Sequence, residues 1–385
     1  MDTSKSNALK FIILLGIVSL FADITYEGAW SINGQYLAIL GASGTVVGVT
    51  AGFGELIGYC LRLISGYLID KTKKYWTITL VGYSINLIAV PLLALAGRWE
   101  IAAVFIILER AGKAIRTPAR DLMLSHANSK IGQGFGFGLH EALDQVGSVL
   151  GPLIVAFILY LKGSYQNCFV LLLLPAFIAL SVLFVARLTY SNPRDFEVEK
   201  INLQRKGFSK PFWLYIIAVA LVASGYADFA LIAYHFKKVS IVPENWIPIF
   251  YSLAMGVDAI SALVFGRLFD KIGIFTFVIV TLFSLLFAPC VFMGNFHLAL
   301  IGMILWGIGI GTQESIMRAA ISNMVQINRR GLAFGIFNTI CGLFWFLGSA
   351  LMGFLYDFSI AYLVLFSVIV QAVSIPIFVL STRKN

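Results

Sequence analysis

The feature that most constrains this chain is a succession of apolar stretches, each long enough to cross a lipid bilayer as a helix. A helix rises about 1.5 Å per residue, so about 20 apolar residues span the hydrocarbon core. On that measure the sequence yields twelve spans, near residues 10–38, 44–69, 76–97, 100–121, 132–160, 166–188, 211–236, 245–269, 274–294, 297–321, 331–357 and 359–381. In hydrocarbon, backbone N–H and C=O groups must be satisfied within the protein, and segments of this length do so as helices. The expected fold class is therefore an all-α membrane protein. Composition supports this, with 59% of the 385 residues hydrophobic and only 12% charged, where soluble domains carry about a quarter charged residues.

One long polar stretch, YSNPRDFEVEKINLQRKGFSKP (190–211), falls at the middle, with six spans on either side. The predicted organisation is a six-helix bundle over 1–189, a linker over 190–210 and a second six-helix bundle over 211–385. The positive-inside rule sets the orientation. Eighteen Lys and Arg residues lie at the N-terminus, the even-numbered loops, the linker and the C-terminus, against four on the other side (Arg98, Lys162, Lys237, Lys238). Both termini are thus expected in the cytoplasm, and the chain in the plasma membrane.

The halves also resemble each other. RLISGYLIDK (62–71) matches LVFGRLFDK (263–271), and GFGLHEALDQVGSVLG (136–151) matches AFGIFNTICGLFWFLG (333–348). Such an internal repeat is the mark of transporters built from two bundles around a central site.

Several function classes are excluded. The net charge of +9 comes from short clusters between apolar spans and forms no continuous basic face, which argues against nucleic acid as a partner. Cys60, Cys168, Cys290 and Cys341 sit inside apolar segments without CxxC spacing and read as packing residues. GQGFGFG (132–138) and GIGIG (307–311) follow no strand and precede no GK[ST], so they read as helix-packing glycines and not as phosphate loops. No cofactor, resident metal or catalytic triad is expected, and the chain reads as a non-enzyme. The first apolar run lacks a small-residue cleavage site and reads as a retained helix. His235 and His297, near outer helix ends, read as solvated or interfacial.

Three local patterns resemble the major facilitator superfamily, over the whole chain. GYLIDKTKK (66–74) is similar to the first motif of that family, with Lys71 where Arg is usual, and GRLFDKIG (266–273) is a closer copy. Arg110, Lys113 and Ala114 stand where the family has Arg-x-x-Gln-Gly. Gly147, Gly151 and Pro152 resemble the helix-packing Gly-x-x-x-Gly-Pro pattern of the drug:proton antiporter branch, although Val155-Ala156 replaces the glycine pair that usually follows. The run RxGKxIRTPxRD with a DxxxE on the first span also resembles a large efflux-like prokaryotic branch. The resemblance implies two six-helix bundles and alternating access to a central cavity lined by the first and fourth helices.

Charge inside a membrane costs roughly 2.5 kcal/mol or more per group at mid-bilayer, so each embedded charge needs a partner, a water-filled cavity or a function. ERAGKAIRTPARD (109–121) concentrates six charges in thirteen residues. Its cytoplasmic part, Arg116, Arg120 and Asp121, lies level with Asp70, as Arg318 lies level with Asp270. The resemblance implies that these residues close an inner gate; contact with substrate is the alternative. Thr117-Pro118 is expected to end or kink the helix. The deeper Arg110 and Lys113 need carboxylates, and the expected network joins them to Asp23, Glu27, Glu141 and Asp144. Asp23 and Glu27 share one helix face, as do His140 and Asp144. That network either fixes the helices statically or exchanges protons, since desolvation favours a neutral carboxyl and a nearby cation favours an ionised one.

Further candidates to line the cavity are Tyr26, Trp30 and Gln35, with Asp228, Asp258 and Glu314 as the embedded acids of the second half. The leading expectation is proton-coupled export of a small organic compound by a monomer in the bilayer, with the proton gradient as driving force. Alternatives are a carrier of an organic anion held by Arg110 and Lys113, a divalent-metal exporter using Asp23 and Glu27, and a receptor that keeps the fold without moving solute.

Overall fold

The computed structural model describes residues 3–128, 131–190, 208–325 and 330–382, and every regular element in them is helical. In chain order the first half holds α1 (Thr3–Ile39), α2 (Gly44–Thr72), α3 (Tyr75–Leu92), α4 (Trp99–Asn128), α5 (Gln133–Tyr160), α6 (Tyr165–Leu171) and α7 (Leu173–Thr189). The second holds α8 (Lys210–Ser224), α9 (Phe229–Val239), α10 (Ile247–Ile272), α11 (Phe275–Ser284), α12 (Phe287–Met293), α13 (Phe296–Met324), α14 (Arg330–Phe358) and α15 (Ile360–Ser381).

Eleven segments among the described residues are long and apolar enough to cross a membrane. The helix that falls outside this set is α4. Its 30 residues suffice in length, but it carries ERAGKAIRTPARD and is too charged to qualify on composition. The lipid-compatible character of the rest shows in the apolar side chains they leave uncovered, such as Phe157, Phe177, Ile260 and Leu263.

Three expected continuous spans are broken. The 166–188 span divides at Leu172, the 274–294 span at Leu285–Leu286, and the 211–236 span at Gly225–Asp228. The last break frees backbone groups, and other helices satisfy them. Gly225 O accepts from Ser367 Oγ at 2.7 Å and Gln371 Nε2 at 3.2 Å, Trp306 Nε1 donates to Ala227 O at 2.9 Å, and Asp228 caps α9 through Ala230 N at 3.2 Å. Conversely, α4 does not end at Pro118 but runs on to Asn128. Proline there removes one donor, and Thr117 Oγ1 ties back to Lys113 O at 2.6 Å in the same turn.

The helices group into two compact units, one of residues 1–33 and 57–200, the other of 34–56 and 201–385. The units follow the two halves except for 34–56, the end of α1 and the start of α2, which packs with the second half.

In the first unit, small residues let backbones approach where lipid supplies no hydrophobic drive. A Cβ on Gly82 of α3 would lie 2.6 Å from the Arg116 amide nitrogen of α4, and one on Gly112 would strike the Asn86 backbone. On α5, a Cβ on Gly147 would lie 2.5 Å from Leu20 O, and one on Gly151 2.5 Å from Ile24 O and 2.9 Å from Gly28 N. Pro152 sits inside α5 just after this contact with α1. These two glycine seams bring α1, α3, α4 and α5 around one buried column.

The second unit has an aromatic core on α8. Phe277 and Phe378 stack at 5.2 Å, Tyr215 meets both, and its hydroxyl donates to Met317 O at 3.1 Å. The four cysteines are free.

Candidate functional site

On α1, Asp23, Tyr26, Glu27 and Trp30 recur at helical spacing and form one buried stripe, none more than 9% exposed. On α4, Arg110, Lys113, Arg116 and Arg120 descend turn by turn. The pairing between the two is an antiparallel ladder. Arg110 stacks on the Trp30 ring with Cζ 3.8 Å from its centroid. One turn on, Lys113 Nζ lies 4.1 Å from the Tyr26 ring centroid and 3.5 Å from Glu27 Oε1. Arg116 follows, over Tyr83 of α3 at 4.1 Å and near Tyr26 at 5.6 Å. Arg120 closes the ladder by donating to Ser19 Oγ at 3.3 Å and pairing with Asp121 at 2.9 Å.

α5 supplies the third side through His140, Asp144 and Ser148, spaced four apart. Asp144 Oδ2 lies 4.0 Å from Arg120 and 3.9 Å from His140 Nδ1, while His140 Nε2 lies 3.0 Å from Ser19 Oγ. Ser148 Oγ donates to Asp144 O at 3.2 Å and lies 3.5 Å from Asp23 Oδ2. Asp23 Oδ1, Asp144 Oδ1 and all three guanidinium nitrogens of Arg116 make no hydrogen bond with any described residue. Arg116 is 0% exposed, so its positive charge rests on tyrosine faces. Cation–π attraction in such a desolvated place is worth about 2 kcal/mol or more, and burying an ion costs several kcal/mol.

Asp23, Tyr26, Glu27, Trp30, Arg110, Lys113 and Asp144 therefore meet in one cluster. Glu141, expected in the network, is exposed, whereas His140 is buried. Arg116, expected at the cytoplasmic gate, turns into the ladder, because Gly82 lets α3 lie against its backbone and present Tyr83. Asp70 and Asp270 are exposed, and among the described residues no ion pair to Asp70 forms. Gln35, Asp228 and Asp258 are buried in the second unit, Asp228 as the α9 cap. The side chains of Glu314 and Arg318 lie outside the described residues. His235 is 1% exposed, with Nδ1 3.0 Å from the Tyr356 hydroxyl, and is not solvated. Among the described residues no group of three or more His, Cys, Asp or Glu gathers as a metal site.

Glu109 pairs with Arg110, its Oε2 3.6 Å from Arg110 Nε, and also reaches α3, where Asn86 Nδ2 donates to it at 2.8 Å. Ser19, Tyr83 and Ser148 are the participants that sequence reasoning missed. Ser19 precedes Asp23 by four residues and Ser148 follows Asp144 by four, so helical spacing from each known acid was the available signal.

The chain matches the Major Facilitator Superfamily over residues 15–349 and belongs to that family. It is 39% identical over 365 residues to an uncharacterized protein of Mycobacterium tuberculosis, covering 93% of this chain and 89% of the relative. It is 29% identical over 364 residues to an uncharacterized MFS-type transporter of Methanocaldococcus jannaschii, covering 91% and 89%. Its fold is similar to a mutant form of the nucleoside transporter NupG (TM-score 0.79, 13% identity, 97% and 100% coverage). It is also similar to a bacterial homologue of the human lysosomal transporter Spinster in an inward-facing, unoccupied conformation (0.77, 13%, 99% and 97%). A third likeness is to a bacterial homologue of the iron transporter ferroportin (0.71, 17%, 97% and 99%). At such identities the solved structures speak to fold alone. The protein is a multi-pass membrane protein with a transporter fold, and not an enzyme.

Proposed function

We propose that this chain is a monomeric secondary transporter of the plasma membrane that works by alternating access and exports a small organic compound in exchange for protons. In this reading α4 is the twelfth membrane-crossing helix and both termini are cytoplasmic. The observation that carries it is the ladder of Asp23, Glu27, Arg110, Lys113, Arg116, Arg120 and Asp144. So many embedded charges are costly, and carboxylates in a ladder with Arg116, whose guanidinium nitrogens meet no described acceptor, are suited to trade a proton for an ion pair. Asp23 is the group we assign to proton exchange. One of its oxygens lies 3.5 Å from Ser148 Oγ and the other accepts no hydrogen bond from a described residue. The Gly147–Gly151–Pro152 pattern of the drug:proton antiporter branch supports the direction. Asp70, Arg120, Asp121, Asp270 and Arg318 serve the inner gate. In proteoliposomes, an imposed pH gradient is expected to drive flux of a ligand found by thermal-shift screening; flux indifferent to the gradient refutes the coupling.

A second reading is an organic-anion carrier, favoured by the guanidinium nitrogens of Arg116 that meet no described acceptor. Binding that disappears in Arg110→Gln/Lys113→Gln supports this reading over the first; binding retained there, with flux that follows the gradient, supports the first.

A further inference from the structure

We propose that the start of α2 is an outer latch, gripped by the carboxylate of Asp357, which must let go for the central site to open outward; this rests on the alternating-access reading. Asp357 is the penultimate residue of α14. Its Oδ1 accepts the Gly44 amide at 2.8 Å, and its Oδ2 accepts the Thr45 amide and the Thr45 hydroxyl, both at 2.7 Å. The first amides of a helix have no intrahelical partner and carry the positive end of its dipole, so a carboxylate there is stabilising. Here a residue more than 300 positions away in sequence supplies it.

The seam below the latch is built for close contact. Gly44, Gly48 and Gly52, four apart on one face of α2, lie against Gly353, Ser349 and Phe346 of α14. A Cβ on Gly48 would strike Ser349 O and lie 3.0 Å from Gly353 Cα. Tyr234 donates to Ala42 O at 3.0 Å. All these contacts are internal to the unit of residues 34–56 and 201–385. Yet α1 and α2 are unbroken, and their remaining residues, up to 33 and from 57, belong to the other unit. A segment shared in this way is the part that changes allegiance when access alternates. The glycine seam gives it a contact without interlocking side chains, and Asp357 supplies the specific hold.

The test places spin labels on exposed Ile39→Cys and Phe358→Cys, in full-length protein whose native cysteines are replaced, and reads their distance distribution. The parent is expected to show one short population. Asp357→Asn is expected to raise a longer population by about tenfold or more, the factor that losing one charge-assisted bond gives. A distribution unchanged from the parent overturns the latch. Where Asp357→Asn protein is not recovered folded, Gly48→Leu, which wedges the same seam without touching the carboxylate, is read for the same two outcomes. A second label pair at Lys71→Cys and Ile272→Cys reads the alternating-access claim separately. If that pair shifts with pH while the outer pair does not respond to Asp357→Asn, only the latch fails; if it never shifts, the transport reading fails.

Discussion

Replacing Arg116 with Met should cost function while leaving stability nearly unchanged. Arg116 is 0% exposed and its three guanidinium nitrogens find no described acceptor. Exchanging buried ionic groups for well-packed apolar ones of similar volume is often neutral or stabilising, by about 1–4 kcal/mol. Against this stands the lost attraction to the Tyr83 ring at 4.1 Å, worth about 2 kcal/mol when desolvated. The balance runs from a loss of about 1 kcal/mol to a gain of about 2 kcal/mol, or from about −2 to about +4 °C in melting temperature for a chain of this size. Arg116→Gln should gain less, because its amide brings polar atoms that still need partners. The assay is thermal unfolding of purified protein in detergent, followed by intrinsic fluorescence, alongside flux in proteoliposomes made from the same preparation. Loss of flux with unchanged or raised stability marks a residue kept for function at a cost in stability. A fall of more than about 3 kcal/mol, or about 6 °C, would refute the reasoning, because a buried ion pair broken by removing one partner costs that much.

Three further outcomes are expected in the same melting assay. Trp30→Ala removes the ring beneath Arg110 and opens a cavity, so it should cost about 3–5 kcal/mol, with Trp30→Phe recovering part of the loss. Gly151→Leu drives a side chain into the Ile24 carbonyl, 2.5 Å from where its Cβ would sit; it should cost about 1–3 kcal/mol or more, and Gly151→Ala less. Tyr215→Phe deletes the 3.1 Å bond to Met317 O in the α8 core and should cost about 1 kcal/mol.

The membrane-crossing character of the chain was legible because the bilayer sets both the length and the composition of a span. That reasoning weakens where distant residues decide the local outcome. Gly225 and Asp228 carry only the weak stop and start signals of a C-cap and an N-cap, set within one apolar run with no proline. The break persists because Ser367, Gln371 and Trp306 accommodate the freed backbone. Pro118 is the reverse case, a breaker that the surrounding bundle tolerates. Within the site, Asp23, Glu27, Arg110, Lys113 and Asp144 were identifiable because embedded charges are few and need partners. Which partner each finds was not. The resemblance implied a gate role for Arg116, and what could not be read from the sequence is that the facing glycine at position 82 lets α3 bring Tyr83 over it. Glu141 sits one position from buried His140 and is nonetheless exposed, a distinction that depends on what α5 packs against.

The buried ladder is proposed to couple solute movement to protons. The most direct test reconstitutes the protein in liposomes, takes the ligand giving the largest thermal shift in a screen at two pH values, and follows its flux with and without a pH gradient. Flux is expected to follow the gradient in the parent protein and to lose that dependence in Asp23→Asn. Equal flux with and without the gradient in the parent would contradict the coupling.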